Sequence, residues 1–281
     1  MYHFDEKLLS EIPIVVLDTE TTGLNPAMGH RVVEIGLVRL ENWQVVAEIN
    51  QLIQPGRRMD VKASAVNGIT DGDLQAQPTF AQVVDDLLVL LEGALIVAHN
   101  AAFDASFLGQ ELFITGKAVD PQRPSLPNPW LCTLTLARSY FHFSSNSLSN
   151  IARALNVRMG QAHRALNDVY MTAEILRRMW QQLQQKLRLH TVGDLLHAQG
   201  GPLYAPPPPN LFLPPPITTA LQGKQNLQIL YMDGRGGESR RLITPLYPTE
   251  YNGTGYLIAY CHQQKDQRTF RLDRIFSAYI V

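Results

Sequence analysis

Short apolar runs alternate with amphipathic stretches through the first two thirds of the chain. The run IPIVVLDTE (residues 12–20) is apolar and has polar residues at its end, which predicts a buried central strand. RVVEIGLVRL and VVAEINQLIQP, joined by ENWQ, predict a hairpin beside it, and ALIVAH predicts another buried strand. Helices are predicted near residues 80–91, 101–112, 147–156 and 164–188. Strands followed by alternating units predict an α/β fold, a mixed sheet with helices on its faces.

The pattern changes at residues 200–216, GGPLYAPPPPNLFLPPP, where eight of seventeen positions are proline. Proline disfavours helix and sheet pairing, so we expect an extended, semi-rigid spacer; a ligand for an aromatic-grooved partner is the alternative. Beyond it, short strand-like runs separated by GRGGE and YNGTG predict a small all-β barrel. The predicted domains are residues 1–190, a linker over 191–216 and a barrel over 217–281.

Composition and charge narrow the class of protein. The 281 residues are 45% hydrophobic and 17% charged, which is typical of a globular chain with a core. The formal net charge of −1 excludes a global positive field, so nucleic-acid binding would depend on basic patches or metal ions. The last 65 residues hold eight basic and five acidic side chains, against sixteen and twenty in the first 216. The tail is therefore the better polyanion-binding candidate, although a solvated surface would give the same surplus.

Cysteine usage and the apolar runs predict the compartment. The two cysteines, Cys132 and Cys261, lack metal-ligand spacing and indicate a reducing environment. Charges occupy the N-terminal stretch where a signal peptide would be apolar, and LLVLLEGALIVA is too short to span a bilayer. The sequence predicts a cytoplasmic protein without a membrane span.

Asp18 and Glu20, in VVLDTETTGL, are the first candidates for chemistry. Side chains two apart in a strand point the same way, so both carboxylates would project from one face at the strand end. Two such charges repel each other and lose hydration, and a divalent cation would relieve both costs. A strand-end aspartate that caps the following turn is the structural alternative.

Two later segments add further candidates. In AHNAAFDASFL, Asn100 is expected to cap a helix whose first turn holds Asp104, a placement with a purely structural explanation as well. In AHRALNDV, His163 and Asp168 would lie about 140° apart on one continuous helix. They converge only if His163 belongs to the loop before the helix, which Gly160 allows, and Asp168 lies on the inner helix face.

In order and wording, these three segments resemble the motifs of the DEDDh (DnaQ-like, DNA polymerase III epsilon-like) 3′–5′ exonucleases. ETTGLNP, VNGIT (66–70) and CTLTLAR (132–138) match as well, so the resemblance covers roughly residues 12–185. One departure is Asn67, where relatives often have histidine. The resemblance implies an RNase H-like fold and two Mg²⁺ or Mn²⁺ ions that promote hydrolysis of a terminal phosphodiester.

The resemblance also implies roles for individual residues. His163 would be the general base, a task for which an unperturbed pKa of about 6.5 is suitable. Independently of the resemblance, Phe103 or Phe107 would offer an aromatic wall for a stacked base, unless both belong to the core. The implied metal ligands are Asp18, Glu20, Asp104 and Asp168. The implied contacts to the terminal nucleotide are Thr21, Thr22, Gly23 and Leu24, and Asn100 and Phe103 are further candidates for nucleic-acid binding.

The tail resembles a WYL domain through ILY (229–231), RLITP (241–245), GYLIAY (255–260) and RTFRLDRI (268–275). The namesake tryptophan is replaced by Gly255, which removes one aromatic wall. The resemblance implies an Sm- or SH3-like barrel that binds nucleic acid or another anionic ligand, whereas an ordinary salt-bridged surface is the alternative. The matching positions are Tyr231, Arg241, Tyr256, Arg268, Arg271 and Arg274.

The functional hypothesis is a metal-dependent 3′–5′ exonuclease that prefers single-stranded DNA ends, with a WYL module that binds nucleic acid or regulates the enzyme. A 3′–5′ exoribonuclease is an alternative, because discrimination rests on contacts to the sugar 2′ position. A non-catalytic ligand sensor on a nuclease scaffold is another. Proofreading, repair, turnover and defence are all compatible with the motifs, as is a polymerase or helicase partner, and the oligomeric state is left unassigned. Deletion of residues 217–281 is expected to leave hydrolysis intact but to alter affinity, salt dependence or control.

Overall fold

The computed structural model describes residue 2, residues 4–158 and residues 164–281. Contacts divide the chain into two compact units, Met1–Gly23 with Val32–Pro207, and Leu24–Arg31 with Pro208–Val281. Within the described ranges, no helix is long and apolar enough to cross a membrane.

A five-stranded mixed sheet forms the centre of the first unit. Its strands are β1 (Ile14–Thr21), β2 (Val32–Glu41), β3 (Gln44–Leu52), β4 (Leu95–Ala98) and β5 (Trp130–Cys132), in the order β3-β2-β1-β4-β5. β1 pairs antiparallel with β2 and parallel with β4, and β4 pairs parallel with β5. The mixed sheet confirms the predicted α/β class, and the four predicted strands are present. The three-residue β5 was not predicted.

Helices cover both faces of this sheet. They are α1 (Val61–Asn67), α2 (Asp71–Leu74), α3 (Phe80–Leu91), α4 (Ala101–Ile114), α5 (Thr133–Tyr140), α6 (Leu148–Ala154), α7 (Ala165–Leu187) and α8 (Val192–Ala198). Successive β1 residues alternate between the faces. Ile14 and Val16 join the core cluster that contains α6, α7 and α8, whereas Val15 and Leu17 join the cluster with α3 and α4. The four predicted helices are confirmed as α3, α4, α6 and α7.

The proline-rich region is more ordered than its composition predicts. The Trp130 N–H donates to the Leu203 carbonyl at 2.8 Å, and the Ser125 N–H donates to the Ala205 carbonyl at 3.2 Å. Proline removes only its own N–H donor, so carbonyls along the segment can still pair. A further helix, α9 (Pro215–Gly223), begins with proline in its first turn, where the fixed φ of proline is favourable. The domain limits given above stay a prediction.

A five-stranded antiparallel sheet forms the second unit. Its strands are β6 (Leu227–Met232), β7 (Glu238–Tyr251), β8 (Thr254–Cys261), β9 (Asp266–Arg271) and β10 (Ile275–Ile280), in the order β10-β6-β7-β8-β9. α9 contributes Ile217 and Ala220 to its core, beside Ile229, Leu257 and Phe270. The antiparallel sheet confirms the strands predicted for the tail, whereas α9 was not predicted.

The segment Leu24–Arg31, which follows β1 in the chain, belongs to the second unit. It forms a 3-10 turn at Pro26–Met28. Three backbone carbonyls within this segment accept hydrogen bonds from side chains of β7 and β9. The pairs are Thr249 Oγ1 to Ala27 O at 2.7 Å, Thr269 Oγ1 to Met28 O at 3.1 Å and Gln267 Nε2 to Gly29 O at 3.0 Å.

Candidate active site

Carboxylates converge where β1 meets the first turn of α7. Asp18 and Glu20 continue the alternating series that puts Ile14 and Val16 on the α7 face of the sheet. Asp168 lies in the first turn of α7 and is 8% exposed. Ligand oxygens of Asp18, Glu20 and Asp168 lie within 4.8 Å of one another, and we call these three residues the acid cluster.

Asp104 occupies the other side of β1. It lies in the first turn of α4 and is 2% exposed. Its carboxylate accepts hydrogen bonds from Thr19 N at 2.9 Å and Thr19 Oγ1 at 2.8 Å, and Thr19 follows the alternation toward the α4 face. Among the described residues Asp104 is therefore outside the acid cluster, but its charge is one cause of the raised pKa of Asp18.

Burial raises the pKa values of Asp18, Glu20 and Asp104, and repulsion between carboxylates adds to the rise for Asp18 and Glu20. Burial raises the pKa of Asp18 well above its usual value, and the charges of Asp104 and Asp168 raise it further. Burial raises the pKa of Glu20 to about 7, although a hydrogen bond from Asn67 acts in the opposite direction and lowers it. The pKa of Asp104 is raised to about 7, again by burial, although the bonds from Thr19 oppose the rise. A buried all-oxygen set with this repulsion fits a hard divalent cation.

Asn67 is a residue whose contact with the site was missed by the sequence reasoning. It ends α1 and is buried, and its side chain hydrogen-bonds Glu20. Its Nδ2 donates to the Thr21 carbonyl at 3.4 Å, and its Oδ1 accepts from Ile69 N at 3.1 Å. The amide is thus fixed on both sides and holds the Glu20 carboxylate. The sequence does contain a signal for this contact, because Asn67 directly precedes Gly-Ile-Thr in the matching stretch VNGIT. The sequence reasoning used that position only as a departure from relatives.

The residues predicted to contact the terminal nucleotide have different environments. Thr21, Thr22 and Gly23 are buried, and Thr21 Oγ1 donates to the Gly23 carbonyl at 2.7 Å. Leu24 is 85% exposed. A buried turn therefore leads to an exposed leucine, and the predicted contact with the terminal nucleotide stays a prediction.

Asn100 is exposed at the position before α4, but it does not cap the helix as predicted. Its backbone is left-handed with φ of 73°, and its side chain makes no capping hydrogen bond to the described helix. A capping residue normally has an extended backbone, so this left-handed conformation corrects the prediction. Phe103 is half-buried, with its ring centroid 4.8 Å from that of Phe107.

His163 lies outside the described residues, so its role as general base stays a prediction.

The second unit contains a cavity of about 270 Å³ that brings three of the six predicted tail residues together. Its lining consists of Tyr231, Asp233, Ser239, Arg241, Cys261, Gln264, Arg268, Thr269 and Phe270. Tyr256, Arg271 and Arg274 do not line it. Arg271 instead pairs with Asp273, with Nε 3.0 Å from a carboxylate oxygen.

A mixed sheet that carries grouped carboxylates at the end of its central strand is the arrangement of an RNase H-like nuclease domain. Residues 15–176 match the family model described as Exonuclease, which covers more than half of the chain, and the chain belongs to this family. Residues 215–280 match the model of the WYL domain.

Relatives and solved structures agree with this assignment. The chain is 35% identical over 170 residues to a DNA polymerase III subunit epsilon of Rickettsia conorii, covering 59% of this chain and 73% of that one. It is 35% identical over 182 residues to a PolC-type DNA polymerase III of Thermotoga maritima, covering 64% of this chain and only 13% of that one.

Among structures, "Exonuclease X in complex with 5′ overhanging duplex DNA" has a TM-score of 0.51 and 26% identity. It covers 66% of this chain and 99% of that one. The nuclease domain of 3′hExo, described as a DEDDh family member bound to rAMP, shares the fold with a TM-score of 0.52 at 19% identity. This alignment covers 65% of this chain and 97% of that one.

Proposed function

We propose that this protein is a metal-dependent 3′–5′ exonuclease that hydrolyses terminal phosphodiesters and prefers single-stranded DNA ends. The observation that supports this function best is the convergence of Asp18, Glu20 and Asp168 within 4.8 Å, with Asp168 buried and the other two side chains half-buried. In addition to burial, the charges of Asp168 and Glu20 both raise the pKa of Asp18, and a bound divalent cation would relieve this repulsion.

The acid cluster, with Asp104, would hold two divalent ions, Mg²⁺ or Mn²⁺. When bound, such ions supply charge stabilisation and make a bound water more acidic. The protein's own residues orient the ligands: Thr19 holds Asp104 through two hydrogen bonds, and Asn67 holds Glu20. His163 would accept the proton of the attacking water.

We assign the cavity of the second unit to an anionic segment of nucleic acid. Arg241 and Arg268 line it with Tyr231, which suits a phosphate beside a stacked base. Arg241 Nε donates to Ser239 Oγ at 3.1 Å, which leaves other guanidinium N–H groups for a ligand. The module would then bind substrate or regulate hydrolysis.

The experiment is digestion of matched 5′-labelled single-stranded DNA and RNA with Mg²⁺ or Mn²⁺. An EDTA reaction and the Asp18→Asn variant are controls. We expect a ladder that shortens from the 3′ end, is faster on DNA and is absent in both controls. A faster reaction on RNA would identify an exoribonuclease instead. If neither polymer gives a metal-dependent ladder, the exonuclease hypothesis is rejected and a non-catalytic ligand sensor is favoured.

The relatives named as subunits of DNA polymerase III lead us to propose a polymerase as partner, with a helicase as the alternative. Both cysteines are free and buried, which agrees with a cytoplasmic protein, and this location remains part of the proposal.

A further inference from the structure

A fourth acidic residue, Glu34, lies beside the acid cluster without belonging to it. Glu34 is on β2, directly opposite Glu20 of β1 in the antiparallel register. Directly opposite residues of an antiparallel pair project to the same face, so Glu34 faces α7 as Glu20 does. It is 1% exposed. A carboxylate at this depth requires compensating donors.

Two residues at the start of α7 provide those donors, the N-cap residue Arg164 and the first helical residue Ala165. Arg164 donates to Glu34 through Nη2 at 3.0 Å and through Nε at 3.2 Å, a charge-assisted pair. The N–H of Ala165 donates to the second Glu34 oxygen at 3.3 Å. Arg164 occupies the N-cap position of α7 but makes no side-chain cap bond to the helix. Glu34 therefore acts as a cap supplied by the neighbouring strand.

Gly36 brings the same helix end close to the sheet. It lies opposite Asp18 and two residues after Glu34, on the same face of β2. A Cβ at position 36 would lie 2.4 Å from the carbonyl carbon of Ala165 and 2.5 Å from the nitrogen of Leu166. The α7 backbone thus rests directly on the glycine, and only glycine permits this approach.

The helix start is connected to Asp168 by one turn. The N–H of Asp168 donates to the Arg164 carbonyl at 3.1 Å. We propose that Glu34 is a positioning residue that anchors the first turn of α7 through Arg164 and Ala165, and thereby sets Asp168 against Asp18 and Glu20. The inference rests on the proposed nuclease function and adds a residue to its machinery.

A direct metal-ligand role for Glu34 is less suited to these contacts. Both of its carboxylate oxygens already accept hydrogen bonds from α7. Among the described residues, the acids whose ligand atoms lie within 4.8 Å of one another are the acid cluster alone.

The test uses the full chain and the variant Glu34→Gln, which keeps the shape of the side chain and removes its charge. Changes in groups that orient metal ligands typically cost 10–100-fold in metal affinity or activity. We therefore expect kcat on single-stranded DNA and affinity for Mn²⁺, measured by calorimetric titration, each to fall roughly 10–100-fold. KM should change little, because Glu34 is 1% exposed and both of its carboxylate oxygens are bonded to Arg164 and Ala165. Arg164→Lys keeps the charge but loses the planar fork, so its loss should be smaller.

The matched control is Glu174→Gln, on the same helix six residues after Asp168. Glu174 accepts from Arg178 Nε at 2.7 Å and from Arg177 Nε at 2.8 Å, so its loss also removes ion pairs from α7. It should leave kcat and Mn²⁺ affinity unchanged.

Wild-type kcat and Mn²⁺ affinity in Glu34→Gln would overturn the proposal, as would equal losses in Glu174→Gln. If Glu34→Gln does not fold, kcat and Mn²⁺ affinity of Arg164→Lys test the proposal instead. The Arg164 side chain is 41% exposed, so its replacement should not prevent folding. If the wild-type protein shows no nuclease activity, the proposed function fails, and the Mn²⁺ titrations still judge Glu34 by themselves.

Discussion

The variant Glu20→Gln should stabilise the metal-free protein at alkaline pH. Burial raises the pKa of Glu20 from its usual 4.5 to about 7. Below pH 4.5 the folded and unfolded states both hold the proton. Between 4.5 and 7 the unfolded state releases it and the folded state keeps it, so the free energy of unfolding falls as pH rises and levels off above about 7. A shift of this size corresponds to about 3 kcal/mol.

Glutamine removes this penalty and also reduces the repulsion on Asp18, to which the Glu20 charge contributes. In EDTA at pH 8 the unfolding midpoint of Glu20→Gln should therefore exceed that of wild type by roughly 5–10 °C. The difference should shrink at pH 5. With saturating Mn²⁺ the order should reverse, because the cation binds the carboxylate and stabilises only the wild-type site.

Thermal unfolding followed by circular dichroism measures the unfolding midpoints of both proteins. The four conditions are pH 5 and pH 8, each in EDTA and in Mn²⁺. Glu92→Gln, an exposed carboxyl just before β4, is the control and should follow wild type throughout. A Glu20→Gln protein that is less stable than wild type in EDTA at pH 8 would refute the argument. An unchanged dependence on pH would refute it equally.

Three further changes test other contacts. Gly36→Ala would place a Cβ 2.4 Å from the α7 backbone, so urea unfolding should show a loss on the order of 3 kcal/mol; a neutral result would contradict the close approach. Thr19→Val removes the hydroxyl bond to Asp104, about 1.5–3 kcal/mol for a charged acceptor, so Mn²⁺ affinity should fall at least tenfold. Thr249→Val leaves the Ala27 carbonyl without its hydroxyl donor and should cost about 1–3 kcal/mol in urea unfolding of the second unit.

Local patterns in the sequence were sufficient for much of the fold. The alternation in IPIVVLDTE places Asp18 and Glu20 on one face of a strand, and the structure puts both in the acid cluster. Asp168 follows them by about 150 residues and lies in the first turn of α7. No local pattern in the sequence predicts that α7 packs over β1. That placement depends on long-range packing, so only the motif resemblance could anticipate it.

Contacts between distant residues explain what the sequence reasoning missed. Glu34 is a charged residue inside the apolar run VVEIGLV. A charged residue in a buried strand is rare unless it is paired, but the prediction of a strand does not use this signal. Its partner Arg164 is 130 residues away, and the pairing appears only when the sheet and α7 come together. Trp130–Cys132 was missed because a three-residue strand shows no periodicity.

The segment Leu24–Arg31 changes how the role of the second unit can be tested. From the sequence, deletion of residues 217–281 is expected to leave hydrolysis intact. In the structure the segment belongs to that unit, and three of its carbonyls accept hydrogen bonds from β7 and β9. A truncation would remove those donors from a segment that begins directly after Gly23, so a loss of activity would not identify a ligand-binding role. Arg241 lines the cavity and makes none of these three bonds, so Arg241→Ala separates ligand binding from support of the segment.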